Sequence, residues 1–345
     1  MTKKILFFDA VAPYEYNFEI LEKKGLGASE SYLLAVANEL KKNFDVDISS
    51  PKVRYNYTQN DTVFKKLSFE SLDKNYDTII IQRNPQNLKA LKSQYPKAKF
   101  IIWLHDFFES SIWGSLPNHD LQYICDNTIL LCVSDWHKKN FQTNLDLRKI
   151  KNHNVKFIHF FIEDKKNIAQ LPIGYDKNKL CFFSAGHKGL EFTLRIFKNL
   201  HNINPKFQLF VGNPTYDQKN EFNKNNGSII NLKNQTRDQV LWHMKGSLAC
   251  LHLNNEYPET FGCVNAESNM VGTPVLCYDL GATKEILFNP DKQLINTNPY
   301  RVDLNELTHI TETILTWYKG DRPEVKLNPI FNKQKITKKW IEILS

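Results

Sequence analysis

The sequence has no uninterrupted apolar stretch of about 18 residues, so no membrane-spanning helix is expected. Lys3 and Lys4 ahead of Ile5-Leu6-Phe7-Phe8 resemble the start of a secretory signal. Asp9 and Pro13 end that run too early for one, and a first β-strand is the better expectation. Six cysteines, at 125, 132, 181, 250, 263 and 277, include no C-x-x-C and mostly sit in apolar runs. This argues against a disulfide framework or zinc ligation and for buried thiols in a reducing, cytoplasmic setting. No His/Cys cluster, Ser-His-Asp arrangement, P-loop or complete G-x-G-x-x-G fingerprint occurs, and no internal repeat or low-complexity segment. Concentrated charge is also missing. The formal +8 divides into 22 basic and 18 acidic residues over 1–160 and 23 and 19 over the remainder. Nucleic-acid binding wants a clustered basic stripe and is not expected; an even, mild excess suits an anionic substrate or an anionic membrane surface.

What is present is alternation. At 345 residues two domains are expected, each large enough for its own core. Lys4 to Phe8 predicts a buried strand, the loop Gly25-Leu26-Gly27-Ala28-Ser29-Glu30 a turn into a helix, and Ser29 to Lys42 that helix. Further strands are predicted at 44–48, 77–81, 99–104, 127–133 and 156–160. Strand, loop, helix, strand in this order is the opening of a doubly wound parallel sheet. Ligands of such sheets bind beyond the carboxyl ends of the strands, which singles out His105 and Asp106 after the third of these runs. Ser134 or Asp135 should cap the helix that begins at Trp136. The polar stretch 163–178, with Pro172 and Gly174, is expected to be a linker. A second α/β unit then runs from Lys179 to about residue 330, with strands at 179–183, 207–211 and 229–232, and a last helix over 333–344.

The most informative stretch is Leu251 to Leu287, LHLNNEYPETFGCVNAESNMVGTPVLCYDLGATKEIL. A buried strand leads into a polar loop with Pro258 and Glu259; a short helix from about Phe261 follows, stopped by Gly272 and Pro274. Backbone N–H groups of Thr260, Phe261, Gly262, Cys263 and Val264 would then lack intrahelical acceptors and make an anion site. Glu259 stands before that terminus, and Glu267 roughly 6–8 Å beyond it along the axis. Two carboxylates flanking an anion site match a ligand with hydroxyls at both ends and phosphate between them.

The pair Glu259 and Glu267, E-x7-E set between P-E-T-F-G and G-T-P-V, resembles the donor-site signature of retaining glycosyltransferase family 4. The resemblance implies the GT-B fold: two Rossmann-like doubly wound α/β domains facing each other across a cleft. Residues 1–162 would form the N-terminal, acceptor-side domain, rejoined by the terminal helix within 331–345, and residues 179–330 the donor-side domain. It implies transfer of a sugar from a nucleoside-diphosphate sugar to a hydroxyl of a glycan, lipid-linked or protein-linked acceptor. Retention of configuration is implied, by a front-face route with no assigned carboxylate nucleophile and no essential metal or cofactor. Asp45-Val46-Asp47, which mimics the metal-binding D-x-D of the other glycosyltransferase fold, is expected to be part of a strand.

The same resemblance distributes roles. Glu259 would hold donor-sugar hydroxyls, Glu267 the ribose, and Lys188 with His187 the diphosphate, while His105 and Asp106 would reach the donor sugar. Gly27 and Ala28 match the family's G-G-x-E loop except that Ala28 replaces the second glycine. The family's usual arginine ahead of Lys188 is absent. Asn213 and Lys233 would border the base, and the loops 50–75 and 106–120 would choose the acceptor. A GT-B sugar-nucleotide epimerase or hydrolase, or a non-catalytic nucleotide-sugar-binding subunit, stand as alternatives that product analysis separates. Peripheral membrane contact fits only a lipid-linked acceptor.

Overall fold

The computed structural model describes residues 2–110, 112–165, 173–212, 227–233, 235–297, 299–300 and 303–345. The chain divides into two compact units: Met1–Leu21, Ala28–Phe161 and Lys333–Ser345 in the first, Glu22–Gly27 and Ile162–Asn332 in the second.

The first unit is built on an eight-stranded sheet ordered β3-β4-β2-β1-β5-β6-β7-β8. Its strands are β1 (Lys4–Phe8), β2 (Asp45–Ser50), β3 (Tyr57–Gln59), β4 (Thr62–Lys66), β5 (Thr78–Gln82), β6 (Lys99–Trp103), β7 (Ile129–Cys132) and β8 (Asn154–Phe157). Every pairing is parallel except the β3–β4 hairpin. Parallel strands are covered on both faces, which is why runs such as Ile79-Ile80-Ile81 are fully buried rather than alternating. Helix Ala28–Leu40 turns Leu33, Leu34, Val36, Ala37 and Leu40 inward. The terminal helix Lys333–Leu344 buries Ile336, Trp340, Ile343 and Leu344, with Trp340 edge-on to Trp103 at 4.8 Å. Fully burying one such large apolar side chain contributes about 1.5–3 kcal/mol, so that helix is an integral part of the unit. Asp45 and Asp47 lie within β2, and Asp47 is buried beneath Tyr76 and Lys65, not arranged as a metal site.

The second unit has an all-parallel six-stranded sheet ordered β11-β10-β9-β12-β13-β14. These strands are β9 (Asp176–Phe182), β10 (Gln208–Val211), β11 (Ile229–Asn231), β12 (Ser247–His252), β13 (Val275–Tyr278) and β14 (Leu294–Ile295). β9 starts three residues earlier than the sequence predicts, inside the stretch expected to be linker. Asp176 pairs with Ser247 of β12 ahead of a register shift, a ladder partner that pattern alone does not show. β9 and β12 are central neighbours, so the loops at their carboxyl ends emerge side by side. At Gly189 the two loops touch: a Cβ there would lie 2.2 Å from the Leu253 carbonyl oxygen. Only glycine permits that approach, and it brings the β9 loop against the β12 loop.

Candidate donor-binding site

The β12 loop is held in shape before any side chain acts. Glu259 bridges to Gly281 after β13, with Glu259 N–H donating to Leu280 O (3.4 Å) and Ala282 N–H to Glu259 O (2.7 Å). Gly281 takes φ +77°, and a Cβ on it would sit 2.3 Å from Glu259 O, so glycine is required there too. Asn254 stiffens the same loop, accepting from the Glu256 and Tyr257 amides and donating to Tyr257 O at 2.7 Å.

The helix predicted from about Phe261 begins two residues later, as Cys263–Met270. Gly262 is its N-cap and adopts the left-handed conformation at φ +84°. The backbone must turn sharply to leave the Glu259 bridge, so Thr260 and Phe261 belong to the loop rather than to the helix. The open amides are therefore those of Gly262, Cys263 and Val264, which make no backbone hydrogen bond among the described residues; the Asn265 and Ala266 amides already donate to Gly262 O. Gly272, at φ +83°, ends the helix where expected.

Glu259 is 8% exposed yet ionised. Burial alone would raise its pKa, but the charge of Lys188 and the nearby His252 overcome that and hold the carboxyl well below the usual range. Two donors hold one oxygen, Oε1: Lys188 Nζ at 2.8 Å and Asn254 Nδ2 at 3.3 Å. His252 Nε2 stands 3.4 Å from the same oxygen, within ion-pair reach but outside hydrogen-bond geometry. No described residue donates to Oε2. Lys188 itself sits just before helix Leu190–Ile203, and His187 is exposed beside the edge of Tyr257 (6.1 Å) without reaching Glu259.

Glu267, one turn into its helix, pairs with Arg237 Nη2 at 2.8 Å. Arg237 was missed by sequence reasoning, which sought a second cation only in the loop before Lys188. Its signal is local: Thr236 and Gln239 form a capping box that starts helix Arg237–Lys245, placing Arg237 in the first helical position. Cys263 marks the middle of the arrangement. Burial first, then the charge of Glu267, push its thiol up, with Glu259 adding and Arg237 and Lys188 opposing. Both acid–base pairs thus act on the first residue of one helix. His252, Asn254 and Asn265 were also missed; their only signal is a polar residue ending or interrupting a buried run.

The remaining predicted residues fall as follows. Gly27 belongs to the second unit, in the segment Glu22–Gly27. A Cβ on neighbouring Gly25 would come within 2.9 Å of Gln235 O. Ala28 opens a helix and neither it nor Gly27 has a positive φ, so alanine at this position costs nothing in backbone conformation. Lys233 is exposed at φ +53°, its amide bonded to Asn231 Oδ1 at 2.8 Å. Asn213 lies outside the described residues. His105 and Asp106 are in the first unit, just past β6. His105 stacks on Phe160 (5.6 Å), and burial, then Arg83 and His137, hold its imidazole well below its ordinary pKa and neutral. Asp106 is exposed, with its backbone oxygen 2.9 Å from His137 Nε2.

No protein-family model matches the chain, and no curated protein matches it in sequence. Solved structures do. Sucrose-phosphate synthase from Thermosynechococcus elongatus is 12% identical, with 99% of this chain and 98% of that one aligned at a TM-score of 0.68. HepE from Anabaena, in complex with UDP and glucose, is 14% identical over 99% of both chains, with a TM-score of 0.63. The catalytic domain of starch synthase IV from Arabidopsis thaliana, bound to ADP and acarbose, is 10% identical over 100% and 99%, with a TM-score of 0.59. The fold is GT-B. At these identities the GT-B likeness establishes architecture; chemistry has to come from the site.

Proposed function

We propose that this GT-B protein is a retaining, metal-independent glycosyltransferase that moves a sugar from a nucleoside diphosphate to an acceptor hydroxyl. The observation that carries the reading is the half-engaged Glu259: Oε1 is held by two donors with His252 beside it, while Oε2 takes none from the described residues. A fixed, ionised carboxylate with one oxygen unclaimed is suited to accept hydrogen bonds from sugar hydroxyls. The diphosphate would lie on the amides of Gly262, Cys263 and Val264, with Lys188 and Arg237 as its cations and Glu267 on the ribose hydroxyls. The nucleotides and sugars bound in the complexes with HepE and starch synthase IV fit a ligand of this layout.

In the reaction the acceptor oxygen bonds to the anomeric carbon as that carbon's bond to the diphosphate oxygen breaks. The acceptor proton ends on the departing phosphate, on the same face. Lys188 and Arg237, once turned toward the bound diphosphate, and the amides stabilise the charge on the leaving group. A nucleotide ladder tests the proposal: UDP-, GDP-, dTDP- and ADP-sugars are screened by thermal shift, and products of the stabilising donor are examined by NMR for anomeric configuration, with and without EDTA. Transfer with retention, unaffected by EDTA, is expected; inversion, or strict dependence on a divalent cation, contradicts it.

A further inference from the structure

His252 ends β12 and is 3% exposed. Its Nδ1 lies 2.7 Å from Asn265 Oδ1 and its Nε2 3.4 Å from Glu259 Oε1. Across the sheet it stands opposite Cys277 in β13, and Lys188 reaches the same Glu259 oxygen from the β9 loop. The protonation of this ring follows from its neighbours. With Asn265 Oδ1 toward the ring, Nδ1 must carry a hydrogen; a bare Nε2 would then aim its lone pair at a buried carboxylate, so Nε2 must carry one as well. With the amide turned, an assignment that hydrogen-bond networks decide, Asn265 Nδ2 donates to Nδ1 and the neutral ring keeps its hydrogen on Nε2. That arrangement also gives a partner to Asn265 Nδ2, which is buried and has none in the first. Both arrangements put a hydrogen on Nε2, which faces Glu259 Oε1 at 3.4 Å, just outside hydrogen-bond geometry.

We infer that His252, locked by Asn265, is a positioning residue that keeps Glu259 aimed at the donor sugar once Lys188 turns to the diphosphate. The inference rests on the reading of Glu259 given above. Among the described residues Lys188 is the one ammonium or guanidinium on Oε1, and an arriving diphosphate competes for it. A buried imidazole anchored from behind by an amide has no such competitor. Once Lys188 leaves, Glu259 Oε1 can close the 3.4 Å gap to His252 Nε2–H and so hold a charge-assisted hydrogen bond through the step in which its orientation matters.

Two measurements test this on the full chain. Long-range 15N–1H NMR with labelled histidine, assigned by comparison with His252→Gln, should show His252 Nε2 protonated; an unprotonated Nε2 overturns the inference. Kinetics use whichever nucleotide-sugar of the thermal-shift panel stabilises the protein. His252→Leu and Asn265→Leu should lower kcat about 10- to 100-fold, the loss of a hydrogen bond to a charged group. Affinity for the bare nucleoside diphosphate should stay within about twofold, and His252→Gln should recover part of kcat. Wild-type kcat in His252→Leu, or an equal loss of nucleotide affinity and kcat, overturns it. Glu259→Gln separates the two layers: an active Glu259→Gln removes the reading of Glu259 itself, whereas an inactive Glu259→Gln beside a fully active His252→Leu removes only the role of His252.

Discussion

Each unit carries a buried carboxylate cluster beyond the ends of its strands, and the two differ in what is left unsatisfied. In the first unit Asp9 follows β1 and Glu30 lies in helix Ala28–Leu40. Asp9 accepts from Val11 N–H on one oxygen (3.1 Å) and Tyr16 OH on the other (3.0 Å). Glu30 accepts from Arg83 on one (2.8 Å) and Tyr14 on the other (3.1 Å). Every carboxylate oxygen is used, and Arg83 holds φ +61° to do it. In the second unit two donors and the nearby His252 crowd one oxygen of Glu259, and no described residue donates to the other. Buried charge satisfied from within holds a fold together; buried charge satisfied on one side only is organised for something that arrives.

The contrast breaks most sharply by mutation. Glu259→Gln should lower transfer by about 10²–10³-fold, the scale of losing a preorganised electrostatic contact. It should also lower the urea unfolding midpoint, since Lys188 loses a buried partner and the depressed folded pKa means the carboxylate stabilises the fold. Glu30→Gln should lower stability by about 3 kcal/mol because Arg83 loses a buried partner, read from the same unfolding curves, with transfer by the folded protein little changed. If Glu259→Gln proves the more destabilising and leaves activity intact, the distinction between the clusters fails.

A smaller effect is expected at the second acid–base pair. Arg237→Ala and Glu267→Ala should each weaken nucleoside-diphosphate binding by about tenfold in calorimetry, about 1.4 kcal/mol. Arg237→Ala should lose more toward the diphosphate than toward the free nucleoside, and Glu267→Ala should lose similar affinity for both. Equal losses for Arg237→Ala would assign it to holding Glu267 rather than to phosphate.

The smallest effect concerns pH. Burial pushes His137 down to about 4, opposed only by its bond to the Asp106 carbonyl. Its Nε2–H donates to that oxygen and its Nδ1 accepts from Val133 N–H at 3.3 Å, so the neutral ring is satisfied. The folded pKa lies below the unfolded value of about 6.5, so the unfolded chain binds the extra proton first. Its stabilising contribution is complete above about pH 6.5 and is lost as pH falls toward 4. Urea curves at pH 7 and pH 5 should show that loss in wild type, and a shallower one in His137→Gln.

Much of this was legible. The strands other than β3, β4 and β14, and the helix between Glu259 and Gly272, follow from apolar runs and their stops. What was not legible is instructive. The helix start was misplaced because Gly262 takes a left-handed turn that no periodicity announces. The β3–β4 hairpin in the stretch 50–75 turns on Asn60 and Asp61, both at positive φ, a hairpin turn without the usual glycine. Arg237, His252 and Asn265 escaped because each acts on a carboxylate far along the chain, a relation that exists only once β9, β12 and β13 are side by side. The apparent lack of a second cation was likewise a fact about one loop, not about the site.

The most direct test is a crystal structure of the protein with the nucleotide-sugar that stabilises it most. A donor-sugar hydroxyl within hydrogen-bond distance of Glu259 Oε2, with phosphate oxygens on the Cys263 and Val264 amides, is the result predicted here. A donor bound elsewhere, or one whose sugar leaves Oε2 without a partner, would contradict it.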